Sequence, residues 1–162
     1  MFAVKKSLAR TLTVIVGVVT VSVVTVCVVS IAATSAWAQS DTPVGLWKTI
    51  DDETKQARSL VRITESGGQL SGKIEKILSD KPDAVCDACS GELKDKPVLG
   101  MMILRGLKKG SDWWEGGTIL DPNNGKTYRS QARTVDGGAK LEVRGYIGTP
   151  LLGRSQTWIR EQ

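Results

Sequence analysis

The chain has 162 residues and contains no histidine. The absence of imidazole excludes Ser-His-Asp and Cys-His catalysis, histidine-ligated zinc and histidine-ligated haem. The net charge is +5, but three of the 22 basic residues and no acidic residue lie within the first 38 positions. The rest of the chain has 19 basic and 17 acidic residues, which does not indicate the clustered basic face of a nucleic-acid binder.

The N-terminal segment has the three parts of a secretory signal in the expected order. Lys5 and Lys6 form a positive start, residues 14–31 form a valine-rich apolar stretch, and Ala36-Trp37-Ala38 supplies the small residues that a signal peptidase reads. We therefore predict a cleavable signal peptide over residues 1–38 and a periplasmic or secreted mature protein that does not span a membrane. A retained anchor is the alternative, because about 20 apolar residues can cross a bilayer.

The remaining residues, 39–162, show short apolar or alternating runs separated by turn residues about every ten positions, a spacing typical of all-β domains. Asp121-Pro122-Asn123-Asn124-Gly125 and Asp136-Gly137-Gly138 are the strongest hairpin signals. Eight strands are predicted, over residues 44–50, 56–64, 69–78, 98–107, 112–120, 126–135, 139–147 and 154–161.

Eight short antiparallel strands remove their exposed edges by closing on themselves. We therefore predict a single all-β domain, an eight-stranded antiparallel up-and-down barrel, with a two-sheet sandwich as the alternative. A barrel of eight strands is either filled by side chains or just wide enough to hold one small ligand.

One long connection, residues 79–97, interrupts this pattern and contains Cys86 and Cys89. In an oxidising compartment this pair predicts a small structural disulfide that pins the loop across a barrel rim. A redox-active pair and a metal site are the alternatives. The first lacks the βαβ setting of thioredoxin-like motifs, and the second lacks further cysteine or histidine ligands in the mature chain. No cofactor is predicted.

A Gly45-x-Trp47 motif lies on the first predicted strand, and the last predicted strand carries arginines. The first and last strands of a closed barrel are paired, so an arginine of the last strand can lie over the Trp47 indole. A cation–π contact of this kind contributes about 1 kcal/mol, and more when it is dry.

This combination resembles the lipocalin/calycin superfamily, and the order of motifs resembles the secreted bacterial family called Domain of Unknown Function 2147. The resemblance covers nearly all of residues 43–161 and implies a lipocalin-like barrel, export and no established activity or catalytic residue. The matching motifs are Trp47 with Asp51-Asp52, Cys86-x-x-Cys89, Trp114-x-Gly116-Gly117, Asp121-Pro122, Gly125-Lys126-x-Tyr128, Leu141-x-Val143-Arg144-Gly145-Tyr146-Ile147-Gly148 and Gly153-Arg154-x-Gln156-x-Trp158.

The aromatic side chains and a few polar groups of this domain are the candidate lining of a ligand pocket. An anionic ligand head follows if the arginines face inward, because an unpaired buried arginine is costly. The alternative is that the aromatic residues simply fill the barrel, and the sequence does not decide which residues face inward on the first, fifth and eighth strands. The candidate binding residues are Trp47, Trp114, Tyr128, Arg144, Tyr146, Arg154, Gln156 and Trp158.

The sequence favours an exported, non-enzymatic protein that binds a small apolar or amphipathic ligand. The alternative is a protein-binding envelope module or inhibitor that has a filled barrel and acts through loop 79–97. Catalysis would require two carboxylates that converge in a cavity. The candidates, Asp51-Asp52-Glu53 and Asp121, lie in predicted turns, where aspartates commonly bond their own backbone. No catalytic or metal-ligating residue is therefore predicted.

Overall fold

The computed structural model describes residues 41–161. The predicted signal peptide, its cleavage site and the first residues of the predicted mature chain lie outside the described residues. Within 41–161, none of the helices has the length and apolar character needed to cross a bilayer.

Eight antiparallel strands form the domain, and each of them corresponds to one strand predicted from the sequence. The three helices are single 3₁₀ turns in the connections, at Gly91–Leu93, Asp136–Gly138 and Pro150–Leu152. The strands are β1 Gly45–Ile50, β2 Ala57–Ser66, β3 Gln69–Ile77, β4 Met102–Lys109, β5 Trp114–Asp121, β6 Lys126–Val135, β7 Lys140–Tyr146 and β8 Arg154–Glu161.

Each strand pairs with its sequence neighbours, and β1 also pairs with β8, so the sheet closes into a barrel. The closing register places Trp47 opposite Arg160 and Lys48 opposite Ile159. The predicted barrel is therefore confirmed over the sandwich. The largest boundary difference is at β4, which begins at Met102 instead of residue 98, because Val98 N–H donates to Ala84 O and keeps residues 98–101 in the loop.

The two ends of the barrel differ in how they are covered. One end carries the short connections β2–β3, β4–β5 and β6–β7, and its half of the interior is filled by large apolar side chains. The opposite end carries the β1–β2, β5–β6 and β7–β8 connections and the long segment between β3 and β4. The fully buried side chains of the filled half include Trp47, Ile63, Leu70, Leu104, Leu107 and Leu141.

Trp47 and Arg160 seal the filled end. The Trp47 indole N–H donates to Pro43 O at 2.7 Å, and the Arg160 guanidinium carbon lies 4.1 Å from the centre of the indole ring. Arg160 also donates to Gly138 O at 2.6 Å and to Thr42 O at 2.6 Å, which ties the β6–β7 turn and the segment before β1 to β8. The predicted arginine over Trp47 is therefore Arg160.

Gly45 is required by this seal. Its φ is +143°, and a Cβ at this position would lie 2.6 Å from Arg160 Nη1. Any other residue would push the guanidinium off the indole ring, which explains why glycine precedes the tryptophan by two positions.

Candidate functional site

The open end of the barrel contains a cavity of about 1370 Å³. Its floor is Trp158, which is 1 % exposed and separates the cavity from the filled half. Apolar side chains of five other strands line the wall, among them Ile74, Ile119 and Val143. Gly145 also lines the wall, where the absence of a side chain leaves space beside Ile119 and Tyr128. The cavity therefore has an apolar wall and opens to solvent at the end of the barrel opposite Trp47.

Five of the eight predicted binding residues line this cavity. Tyr128 comes from β6, Tyr146 from β7, and Arg154, Gln156 and Trp158 from β8. The three β8 residues alternate along the strand and therefore share the inward face. This settles which residues of the eighth strand face inward.

The other three predicted binding residues lie elsewhere. Trp47 is buried in the seal of the opposite end, on the far side of the Trp158 floor. Trp114 lines a separate niche of about 330 Å³ together with Trp113 and Arg133, near the β4–β5 turn. Neither Trp47 nor Trp114 therefore lines the cavity.

Arg144 lies outside the cavity because its neighbours Val143 and Gly145 line the wall and alternate residues of a strand face opposite sides. Its guanidinium donates to Pro150 O at 2.6 Å and to Ser155 Oγ at 2.9 Å. Arg144 therefore holds the β7–β8 loop in place and is not available to a ligand in the cavity.

A polar column runs from the cavity floor to its mouth along β8. The Trp158 indole N–H donates to Gln156 Oε1 at 3.4 Å, and Gln156 Nε2 donates to Asp52 Oδ2 at 2.9 Å. Arg154 forms an ion pair with the same Asp52 oxygen at 2.7 Å. The expectation of an anionic ligand depended on unpaired inward arginines, and the structure removes that basis, because Arg154 is paired and Arg144 lies outside.

The mouth has a clear excess of negative charge. Seven acidic and three basic side chains line the cavity and its rim. Two of the basic side chains are already in ion pairs, Arg154 with Asp52 and Arg58 with Asp51. The acidic members are Asp51, Asp52, Glu53, Asp80, Asp83, Asp87 and Asp121, and the basic members are Arg58, Lys81 and Arg154.

Asp51 organises the β1–β2 turn at this rim. Its carboxylate accepts backbone N–H bonds from Thr54 at 2.8 Å and Glu53 at 3.0 Å, and Arg58 donates to it at 2.7 Å. The backbone bond from Thr54 is the largest cause that lowers the pKa of Asp51 to about 2 from its usual value of 3.8, and the bonds from Glu53 and Arg58 act in the same direction. Asp51 is therefore negatively charged at any physiological pH.

This lowered pKa predicts an acid-dependent stability contribution from Asp51. The pKa is lower in the folded chain than in the unfolded chain, so the contribution is complete above about pH 5 and is lost as the pH falls through the folded pKa of about 2. Asp51→Asn is expected to lower the denaturant midpoint much more at pH 6 than at pH 2. As a control, Asp80→Asn should shift neither midpoint, because the Asp80 carboxylate has no hydrogen bond or ion pair within 41–161. Equal effects of Asp51→Asn at both pH values would contradict this assignment.

The loop between β3 and β4 forms part of the mouth and is fixed by its two cysteines. The predicted disulfide between Cys86 and Cys89 is present. Cys86 N–H donates to Lys96 O at 2.9 Å, and a β-bridge joins Val85 to Pro97. Cys86 and Cys89 are 0 % and 5 % exposed, so an attacking thiolate has little access to the sulfurs, which favours the structural role over redox exchange.

The β5–β6 turn packs directly against this disulfide loop through Gly125. A Cβ at Gly125 would lie 2.0 Å from Ala88 O, and the φ of Gly125 is +67°. Gly125→Ala is therefore expected to lower the unfolding free energy by about 2–4 kcal/mol, since both backbone strain and a clash oppose it. Gly137→Ala is the matched control, because Gly137 has a similar φ of +62° and nothing within 4 Å. Its cost in chemical denaturation should be about 1 kcal/mol; equal costs would show that the packing contact contributes nothing.

Several residues of the site were not identified from the sequence. The sequence places Asp52 in a predicted turn and in a family motif but does not predict its bonds to Gln156 and Arg154. It places Gly145 in a motif but does not predict that its missing side chain leaves open space in the cavity wall. Neither role has a local signal, because each depends on a residue of another strand.

Comparison with known proteins agrees with this architecture. A family model described as "Uncharacterized protein conserved in bacteria (DUF2147)" matches residues 45–160. A solved structure from Helicobacter pylori, protein HP1028, described as belonging to the lipocalin family, superposes with a TM-score of 0.67 at 21 % sequence identity. The alignment covers 76 % of this chain and 85 % of that chain, and the likeness shows the lipocalin-like fold. No curated protein sequence matches the chain significantly.

Proposed function

The chain belongs to DUF2147, a family of uncharacterised proteins conserved in bacteria, and we propose that it is an exported, non-enzymatic protein whose cup binds one small apolar or amphipathic molecule. The observation that carries this proposal is the cavity of about 1370 Å³ at one end of a barrel that is otherwise filled. Ligand pockets have volumes of about 300–1,000 Å³, and the space here is of that order once its wide mouth is considered.

The distribution of polar groups in the cavity supports an amphipathic ligand. Apolar side chains, among them Ile74 and Val143, surround the lower part of the cavity, while its carboxylates and arginines lie at the rim. An apolar ligand tail that moves from water into contact with this wall would gain binding free energy of about 25 cal/mol per Å² of apolar surface buried. Its polar end would remain near the hydrated rim.

The state of the rim carboxylates supports binding over catalysis. Asp51 and Asp52 are adjacent acidic residues at the cavity mouth, and each is held by an arginine. The pKa of Asp51 is lowered to about 2, far below the pKa near 7 that suits a general base at neutral pH. An enzyme without histidine would need two converging carboxylates that are free to exchange protons. The contacts of Asp51 and Asp52 do not favour such a pair.

Export is supported by the order of charge, apolar stretch and Ala-x-Ala site in residues 1–38, and by the Cys86–Cys89 disulfide. Disulfides persist in the periplasm and outside the cell, whereas the cytosol keeps thiols reduced. Expression with the leader intact, followed by cell fractionation and intact-mass measurement, should give a periplasmic or secreted species that begins at Gln39. A species that retains residues 1–38 in the membrane fraction would instead identify an anchor.

Native mass spectrometry of protein purified from its own compartment tests the binding function directly. We expect a reproducible additional mass that organic solvent removes. With stripped protein, titration of the neutral fluorophore N-phenyl-1-naphthylamine should give a saturable, blue-shifted signal at one equivalent. Absence of both the additional mass and saturable binding would refute the proposed cup.

A second candidate function has one structural observation in its favour. Large apolar side chains are exposed around the mouth, including Val85 at 46 % on the disulfide loop and Leu151 at 89 % on the β7–β8 loop. Such exposure is typical of surfaces that meet another protein. An envelope module or inhibitor that acts through loop 79–97 would lose its partner in a Cys86→Ala/Cys89→Ala variant, whereas partner capture unchanged by that variant would count against it.

A further inference from the structure

We propose that the cup selects amphiphiles whose polar head carries a positive charge. This inference rests on the proposed binding function and specifies the class of molecule that the same cavity takes. It combines two features of the structure: an apolar interior that accepts a tail, and a mouth with four more acidic than basic side chains.

Two of the three basic side chains at the mouth are already paired, and the third, Lys81, is outnumbered by the carboxylates of its own loop. Arg154 is bound to Asp52 and Arg58 to Asp51, each at 2.7 Å. Arg58 also donates to Asn123 Oδ1 at 2.6 Å. At Arg154 or Arg58, an anionic head would have to displace a carboxylate from an ion pair that is already formed.

The acidic side chains, by contrast, include several without such partners. Asp80, Asp83 and Asp87 follow one another along the disulfide loop, are exposed, and line the cavity mouth. None of the three carboxylates forms an ion pair within the described part of the chain, residues 41–161. Their combined field attracts a cation and repels an anion over about 10 Å at 0.1 M salt.

The apolar part of the rim lies on a different connection. Ile147 and Leu152, which flank the turn between β7 and β8, line the mouth and are 71 % and 83 % exposed. They continue the apolar surface of the wall outward to solvent. An amphiphile can therefore keep its tail on apolar surface while its head lies beside the disulfide loop.

The test compares ligands that share a twelve-carbon tail and differ only in the charge of the head. Dodecyltrimethylammonium, dodecanol and laurate, each below its micelle concentration, compete with N-phenyl-1-naphthylamine at pH 8 and low salt. We expect the cation to bind about tenfold more tightly than the anion, with dodecanol between them. The ratio should fall to about threefold or less in 0.5 M NaCl, because screening weakens the interaction of exposed charges.

Two matched variants locate the source of the preference. Asp80→Asn/Asp83→Asn/Asp87→Asn removes three carboxylates at the mouth, and the ratio in this variant should fall to about threefold or less. Glu65→Gln/Asp112→Asn/Glu115→Gln changes the net charge equally at the filled end and should preserve the tenfold ratio. Equal losses in both variants would attribute the preference to net charge and overturn the assignment to the mouth.

The outcomes separate this inference from the proposed function. Saturable binding with no preference, or with a preference for laurate, would overturn the cationic head while leaving the cup intact. Failure of all three ligands and of the fluorophore to bind would overturn both. Binding with the expected order, salt dependence and response to the mouth variant would support both.

Discussion

Gly145→Leu is expected to weaken ligand binding at least tenfold while leaving the barrel folded. Gly145 lines the cavity wall, and a Cβ there would lie 3.4 Å from Ile119 Cγ2 and 3.6 Å from Tyr128 Cβ, which are ordinary contact distances. The leucine side chain would therefore enter the cavity without a backbone clash. A tenfold loss corresponds to about 1.4 kcal/mol of binding free energy, measurable by titration with N-phenyl-1-naphthylamine.

The control for this variant is Thr157→Leu. Thr157 is exposed and lies on the outer face of β8, between the inward residues Gln156 and Trp158. It adds a comparable apolar side chain that cannot reach the cavity, so its affinity should equal that of the wild type. The unfolding free energies of both variants should stay within about 1 kcal/mol of the wild type. Unchanged affinity in a folded Gly145→Leu variant would show that ligands bind elsewhere.

Trp47→Ala is expected to cause a large loss of stability. Trp47 is fully buried, is stacked under Arg160, and donates to Pro43 O. Removing a buried tryptophan costs about 3–5 kcal/mol through lost burial and the cavity that remains. Chemical denaturation should show this decrease, and thermal unfolding should shift down by about 10–20 °C.

Trp113→Ala is a matched comparison, because Trp113 also lies under an arginine. Arg133 is 4.3 Å from the Trp113 ring centre, nearly the same distance as in the Trp47 pair. Trp113 is only partly buried, and exposed cation–π pairs contribute about 0.5–1 kcal/mol. We therefore expect a loss of about 1 kcal/mol. Equal losses at both positions would mean that the cation–π contact, and not burial, dominates the seal.

The fold was largely predictable because its signals are local. The Asp121–Gly125 and Asp136–Gly138 turns mark hairpins in sequence, and all eight strands lie where the turn spacing places them. Barrel closure followed from the need to pair the edges of β1 and β8. The sequence places the start of β4 four residues too early, because residues 98–101 have a strand-like composition but form hydrogen bonds within the loop.

The site was less predictable because its members depend on inward or outward orientation and on pairing across strands. The register shift between Trp114 and Gly117 places an extra residue on β5, so the residues of β5 that face inward do not follow from strict alternation. The charge state of the mouth was also hidden, because Arg154 is paired with Asp52, more than 100 positions away in the chain. No local pattern around either residue indicates that contact.

The pairing of β1 with β8 also has a consequence for how the molecule is made. Trp47 and Arg160 face each other where β1 pairs with β8. This pairing joins the first strand of the domain to its last strand. A nascent chain cannot complete the tube until β8 has emerged, and until then two strand edges stay unpaired. Such long-range closure is slow and leaves the intermediate open to association with other chains. Deletion of the final few residues should therefore act mainly on the yield of folded protein, even though the cup lies at the other end.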